Sequence, residues 1–195
     1  YDVQPSWNWP GADGRTVQVD VYFNSEEIEL VLNGRSLGRR PATEPERYTA
    51  TFAVPYEPGE LRAVAWSAGR RVAEQVLRTA GPAVRLALEV DRTVLAADPD
   101  DLAYITVKAL DAAGNGVPDA GHRVYFTVRG VGGLAAVGSA DPCSTEPYRG
   151  NMRSLWRGRA MAILRPDGRT GELMLEAHAD GLAGAAITVE CRDTR

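Results

Sequence analysis

The chain has 195 residues, of which 22 are basic and 26 acidic, for a formal net charge of −4. The charges are spread along the chain with no basic stripe, which excludes a nucleic-acid surface, and no apolar run reaches the ~20 residues that span a bilayer as a helix. Hydrophobic residues make up 44% of the chain, enough for packed cores, and the length suits one large β domain or two ordinary sandwiches.

Residues 1 to 14, YDVQPSWNWPGADG, carry Pro, Gly and Asp-Gly, which oppose regular structure. Trp7 and Trp9 lie within this stretch and need cover. Three roles are open to them: plugging the end of the first sandwich, packing on a neighbouring domain, or stacking on a sugar ring. From Arg15 to Phe23 the residues Val17, Val19, Val21 and Phe23 alternate with polar neighbours, the period of a half-buried strand. Ile28, Leu30 and Leu32 repeat the pattern, and Asn33-Gly34 follows at once. Both tolerate the positive φ of a type I′ turn, so Arg35 to Arg39 is predicted to return as the partner strand with Leu37 inward. Pro41 to Glu46 reads as a polar loop. Strands are predicted again over Tyr48–Val54, Leu61–Trp66 and Arg71–Thr79, with Pro55–Gly59 and Ala68-Gly69 as turns.

Ala80-Gly81-Pro82 breaks the pattern, which restarts at Val84. We therefore expect one β-sandwich over 1–80 and a second over 81–195. In the second, inward rows are predicted at Val84–Val90, Tyr104–Leu110, Val124–Val128, Ala160–Leu164, Leu173–Ala177 and Ile187–Cys191, with Gly130–Gly138 a glycine-rich strand and bend. Helical periodicity is missing throughout. The fold class is all-β, two consecutive Ig-like antiparallel β-sandwiches, and the strand–helix alternation of a TIM barrel is absent.

Residues 139–158 form the longest stretch without a strand pattern, and long ordered loops tend to be functional or to serve as contacts. Asp141, Glu146, Asn151 and Arg153 are expected to knit this loop, the guanidinium bridging a carboxylate. The alternative is that the loop, with Tyr148 and Trp156, packs on another domain or touches substrate. Asp98, Asp100 and Asp101 read as a solvated loop before a calcium site. Cys143 and Cys191 read as unrelated thiols, too few for a zinc site. His122 and His178 are isolated, and Gly130–Gly133 lacks the lysine and helix of a phosphate loop. No metal site and no cofactor are implied.

The segment WNWPG followed by VYFNSEEIELVLNGRSLG resembles the domain after the catalytic barrel in bacterial glycoside hydrolase family 2 enzymes, which are β-galactosidase-like. Asn24, Glu27, Glu29, Leu30, Leu32, Asn33, Gly34, Ser36, Leu37 and Gly38 match its pattern. The second half resembles the family's terminal Ig-like domain, through ITVKALDAAGNGVPDA and a segment with D-P, E-P and G-N-x-R at residues 141–153. It departs from that pattern at Ser139-Ala140, where the family carries Asn-Gly, and at Cys143. The resemblance implies a parent that cleaves glycosides with retention, using two carboxylates on a TIM barrel. Neither would lie in this chain, which begins at Tyr1 and reads as an excised piece. No catalytic residue is therefore expected here. The implied partner is the catalytic barrel of the same polypeptide, with carbohydrate as a second, and the parent is bacterial, with secretion or the periplasm open to it. Two other readings stand beside it. One is a carbohydrate-binding module using Trp7, Trp9, Trp66 or Trp156, and the other is an Ig-like spacer of a surface adhesin.

Overall fold

Alternation of apolar and polar side chains sets the architecture, because a strand with one apolar face must lay that face on another sheet. In the computed structural model, residues 4–193 are described, and no helix occurs among them. Contacts divide the chain into two compact units, Tyr1–Thr79 and Ala80–Arg195.

The first unit holds β1 (Thr16–Tyr22), β2 (Ser25–Leu32), β3 (Arg35–Ala42), β4 (Thr49–Pro55), β5 (Glu60–Ser67) and β6 (Arg70–Arg78). Strands β1 and β4 pair as a two-stranded sheet, and the order β3-β2-β5-β6 makes a four-stranded one. Ile28, Leu30 and Leu32 from β2 meet Ala50, Phe52 and Val54 from β4 in one core that also takes Trp7, Tyr56 and Leu61. The β2–β3 hairpin turns at Asn33 (φ 49°) and Gly34 (φ 80°), both in the left-handed region that a type I′ turn needs. Asn33 does more than turn. Its side chain donates to the Pro58 carbonyl at 3.0 Å and accepts from the Glu60 amide at 2.8 Å, which fixes the hairpin to the loop before β5. A register shift between Glu29 and Val31 lets β3 run on to Ala42, so Pro41 and Ala42, expected in a loop, belong to the strand. Phe23, expected on the inward row, follows the end of β1 at Tyr22 and is exposed.

The second unit holds β7 (Arg85–Val90), β8 (Val94–Ala96), β9 (Ala103–Leu110), β10 (Arg123–Gly130), β11 (Gly132–Gly138), β12 (Met152–Ser154), β13 (Arg159–Pro166), β14 (Gly171–Ala179) and β15 (Leu182–Arg192). The strands run in the order β11-β13-β9-β7-β15-β14-β10-β12, with β8 beside β15. Ile105, Val107, Ala162, Leu164, Val124, Phe126, Leu173 and Leu175 share one core. Most pairings are antiparallel as expected. The exceptions are β15 with β7, through Ala183 and Arg85, and β15 with β8, where Glu190–Arg192 lies parallel to Val94–Ala96. Strands β8 and β12 have no counterpart in the predicted elements, since three residues are too few to show a period. Asp111 closes the turn after β9. Its carboxylate accepts from the amides of Gly81 (2.9 Å) and Asn115 (2.7 Å) and from the Asn115 side chain (3.0 Å).

Candidate functional site

The loop between β11 and β12 is organised around Arg153, whose side chain is 1% exposed. Burying a guanidinium demands partners for its N–H groups and its charge. Its Nη1 donates to the Glu146 carbonyl at 2.9 Å and its Nε to the Ser139 hydroxyl at 3.2 Å. The same Nε lies 3.5 Å from Glu146 Oε2, and the guanidinium sits 5.2 Å from the centroid of the Tyr148 ring. Glu146 is held in turn by Ser154, which donates its hydroxyl at 2.6 Å and its amide at 3.0 Å. The Ser154 hydroxyl and amide, with lesser help from Arg153 and Arg123, hold the Glu146 carboxyl below the usual carboxylate range.

Backbone bonds tie this loop to the sheets. The Tyr148 carbonyl accepts from Val137 on β11, and the Asn151 carbonyl accepts from Phe126 on β10, both at 2.8 Å. Of the four residues expected to knit the loop, Glu146 and Arg153 meet directly. Asp141 instead closes its own turn by accepting from the Cys143 amide at 2.9 Å, and Asn151 acts here through its carbonyl. Ser139 and Ser154 complete the cluster. Ser139 stands where the chain departs from the family pattern, and its hydroxyl is an acceptor for the guanidinium. Tyr148 is 66% exposed. Trp156 lies beyond β12 at the turn Arg157 (φ 50°)–Gly158 (φ 70°), with the Arg157 guanidinium 4.3 Å from its ring centroid.

The tryptophans before the hairpin divide sharply. Trp7 is 2% exposed. Its indole N–H donates to the Glu57 carbonyl at 3.0 Å, its ring tilts against Tyr56 with centroids 5.0 Å apart, and its carbonyl accepts from the Thr79 hydroxyl at 2.6 Å. It thus fills the core of its own unit. Trp9 is 39% exposed. Trp66 lies on the outer face of β5 beneath Arg39, whose guanidinium is 4.1 Å from the ring centroid.

The remaining carboxylates that sequence reasoning singled out serve their own loops. Asp98 accepts from the Asp100 amide at 2.9 Å, and Asp101 accepts from the Ala96 amide at 2.7 Å while pairing with Arg92 at 3.0 Å. No group of three or more His, Cys, Asp or Glu side chains placed to hold a metal occurs among the described residues. Both thiols are free, Cys143 exposed and Cys191 buried. The Glu146 carboxylate is thus engaged at once by a hydroxyl, an amide and a guanidinium, all from β12.

Two Ig-like units built wholly of strands define the class of protein. The chain belongs to glycoside hydrolase family 2: residues 86–188 match the family model described as glycoside hydrolase family 2 C-terminal domain 5. Residues 14–73 match a domain of unknown function, DUF4982. The chain is 34% identical over 190 residues to beta-galactosidase BoGH2A of Bacteroides ovatus, covering 97% of this chain and 22% of that protein. It is 30% identical over 164 residues to a putative beta-glucuronidase of Formosa agariphila, covering 83% of this chain and 16% of that protein. It thus spans about a fifth of the length of the curated relatives it matches. Among solved structures, a glycosyl hydrolase family 2 member from Bacteroides cellulosilyticus superimposes with a TM-score of 0.94 at 36% identity, over 98% of this chain and 25% of that one. A beta-glycosidase from Bacteroides vulgatus does so with a TM-score of 0.91 at 28% identity, over 96% and 24%.

Proposed function

We propose that this chain is a non-catalytic support region of a longer retaining glycosidase, one that hydrolyses β-galactosides or β-glucuronides. Its partner is the catalytic barrel of the same polypeptide. The observation that carries this reading is how the loop at residues 139–158 uses its charges. The family pattern of D-P, E-P and G-N-x-R supplies Glu146 and Arg153, and both are spent on holding the loop to itself. The hairpin motif behaves likewise. Glu29 accepts from the Ser36 hydroxyl at 2.7 Å, and Asn33 ties the hairpin to Pro58 and Glu60. The names of the relatives support the choice of sugar. The carbohydrate-binding reading is left with Trp9 alone of its four tryptophans, since Trp7 is buried and arginines cover Trp66 and Trp156.

Deleting residues 1–195 from the full-length polypeptide tests the supporting role. The remainder should melt at least about 5 °C lower or fail to stay soluble, a shift that ~2 kcal/mol of lost support produces in a large domain. A remainder with unchanged Tm and unchanged kcat/KM would overturn the proposal.

A further inference from the structure

The first unit is an unequal sandwich, two strands facing four. Beside β1, on the side away from β4, runs a groove of about 580 Å³. Val19 and Val21 of β1 form one wall, and Leu61, Ala63, Ala73 and Leu77 of β5 and β6 line the other. The alanines leave space that larger side chains would fill, and Trp9, Gln18, Asp20, Glu74 and Gln75 also line the groove.

The groove is also bordered by unused main chain. The Phe23 amide bonds the Tyr48 carbonyl at 3.0 Å, and the Tyr56 amide bonds the Arg15 carbonyl at 2.8 Å. In an antiparallel ladder the bonded pairs alternate. With Val17, Val19 and Val21 opposite Val54, Phe52 and Ala50, the odd residues of β1 face β4. The N–H and C=O groups of Gln18, Asp20 and Tyr22 therefore point from the other edge, and among the described residues β1 pairs with β4 alone. Edges left open in solution are usually blunted by Lys, Pro or a bulge. Strand β6 carries Arg70, Arg71, Glu74 and Arg78, whereas β1 reads TVQVDVY with one charge, and Asp20 is already engaged by Thr51 at 2.7 Å.

We infer that a single extended polypeptide strand, with aliphatic side chains at alternate positions, pairs with the free edge of β1 and fills this groove. The occupant we assign is a segment from the preceding catalytic part of the same polypeptide, which rests on the function proposed above. Three observations favour it. The unpaired main-chain groups recur at every second residue, the repeat a strand satisfies. The aliphatic side chains of Val19, Val21, Leu61, Ala63, Ala73 and Leu77 offer cover to the alternate aliphatic side chains of such a strand. Solved relatives of the same fold carry about three quarters of their length outside the matched region, and Gln4, Pro5 and Ser6 line the groove, so the chain itself passes along it. Beyond bracing the unit, the strand would make β1 the seam between the supporting region and the rest of the enzyme.

Amide hydrogen exchange in the 195-residue chain and in the full-length polypeptide tests this. In the 195-residue chain the amides of Gln18, Asp20 and Tyr22 should exchange rapidly while those of Val17, Val19 and Val21 are protected. In the full-length polypeptide all six should be protected, the even-numbered three slowed at least a hundredfold. Rapid exchange at those three in a full-length polypeptide that hydrolyses glycosides overturns the assignment and leaves the proposed function standing. Protection that grows with concentration of the 195-residue chain alone would give the groove to a second copy, and protection gained only on adding an oligosaccharide would give it to a glycan; either overturns the inference.

Discussion

Replacing Trp7 by alanine is expected to destabilise the first unit by about 4 kcal/mol, the middle of the range for emptying a large buried aromatic site. The indole is enclosed by the core that Ile28, Leu30 and Phe52 build, and it also supplies an N–H to the Glu57 carbonyl. Trp7→Phe keeps most of the packing and should lose about 1–2 kcal/mol. Trp9→Ala, two residues away, should change stability by no more than ~0.5 kcal/mol, because the side chain is half out in solvent. Urea unfolding followed separately for residues 4–79 and 80–193 by amide NMR intensities resolves which unit responds. Equal losses for Trp7→Ala and Trp9→Ala would refute the division of labour between these tryptophans.

The second large effect falls in the other unit. Glu146→Ala leaves the Arg153 guanidinium buried without its anionic neighbour and should cost roughly 3 kcal/mol. The double variant Glu146→Ala with Arg153→Met removes the stranded charge as well and should recover much of that loss, since replacing both members of a buried pair is often close to neutral. The same pair sets an acid limit. Glu146 has its carboxyl depressed in the folded state, so its contribution is fully present above the ordinary glutamate value of about 4.3. That contribution is lost as pH falls through the lower, folded value. Urea midpoints of the second unit should therefore fall below about pH 4, and less steeply in Glu146→Gln. A single variant no less stable than the double, or an unchanged acid slope, would show that the ion pair contributes nothing.

What was legible in the sequence was local. Ile28, Leu30 and Leu32 declare a strand by period alone, and Asn33-Gly34 declares its turn by backbone tolerance, so the hairpin needs no distant partner to be read. The Asn33 side chain illustrates the limit, because its bonds to Pro58 and Glu60 depend on β5 lying alongside. The parallel pairing of β15 with β8 arises from where the last strand lands, and three-residue strands such as Val94–Ala96 and Met152–Ser154 are too short to alternate visibly. In the candidate site the pairing of Arg153 with a carboxylate followed from charge. Burial of Arg153 did not, because arginine is ordinarily solvated and its partners Ser139 and Ser154 carry no pattern that marks them as such. Trp7 and Trp9 look alike in the sequence, and the difference between core and surface appears once Tyr56 and Thr79 are placed around the first of them.

The most direct measurement is turnover of chromogenic β-galactoside and β-glucuronide by the purified 195-residue chain, set beside the full-length polypeptide at equal molar concentration. A support region gives no hydrolysis above the uncatalysed rate while the full-length polypeptide turns over one of the two substrates. Hydrolysis by the 195-residue chain itself, abolished by substituting one of its own carboxylates, would contradict the account.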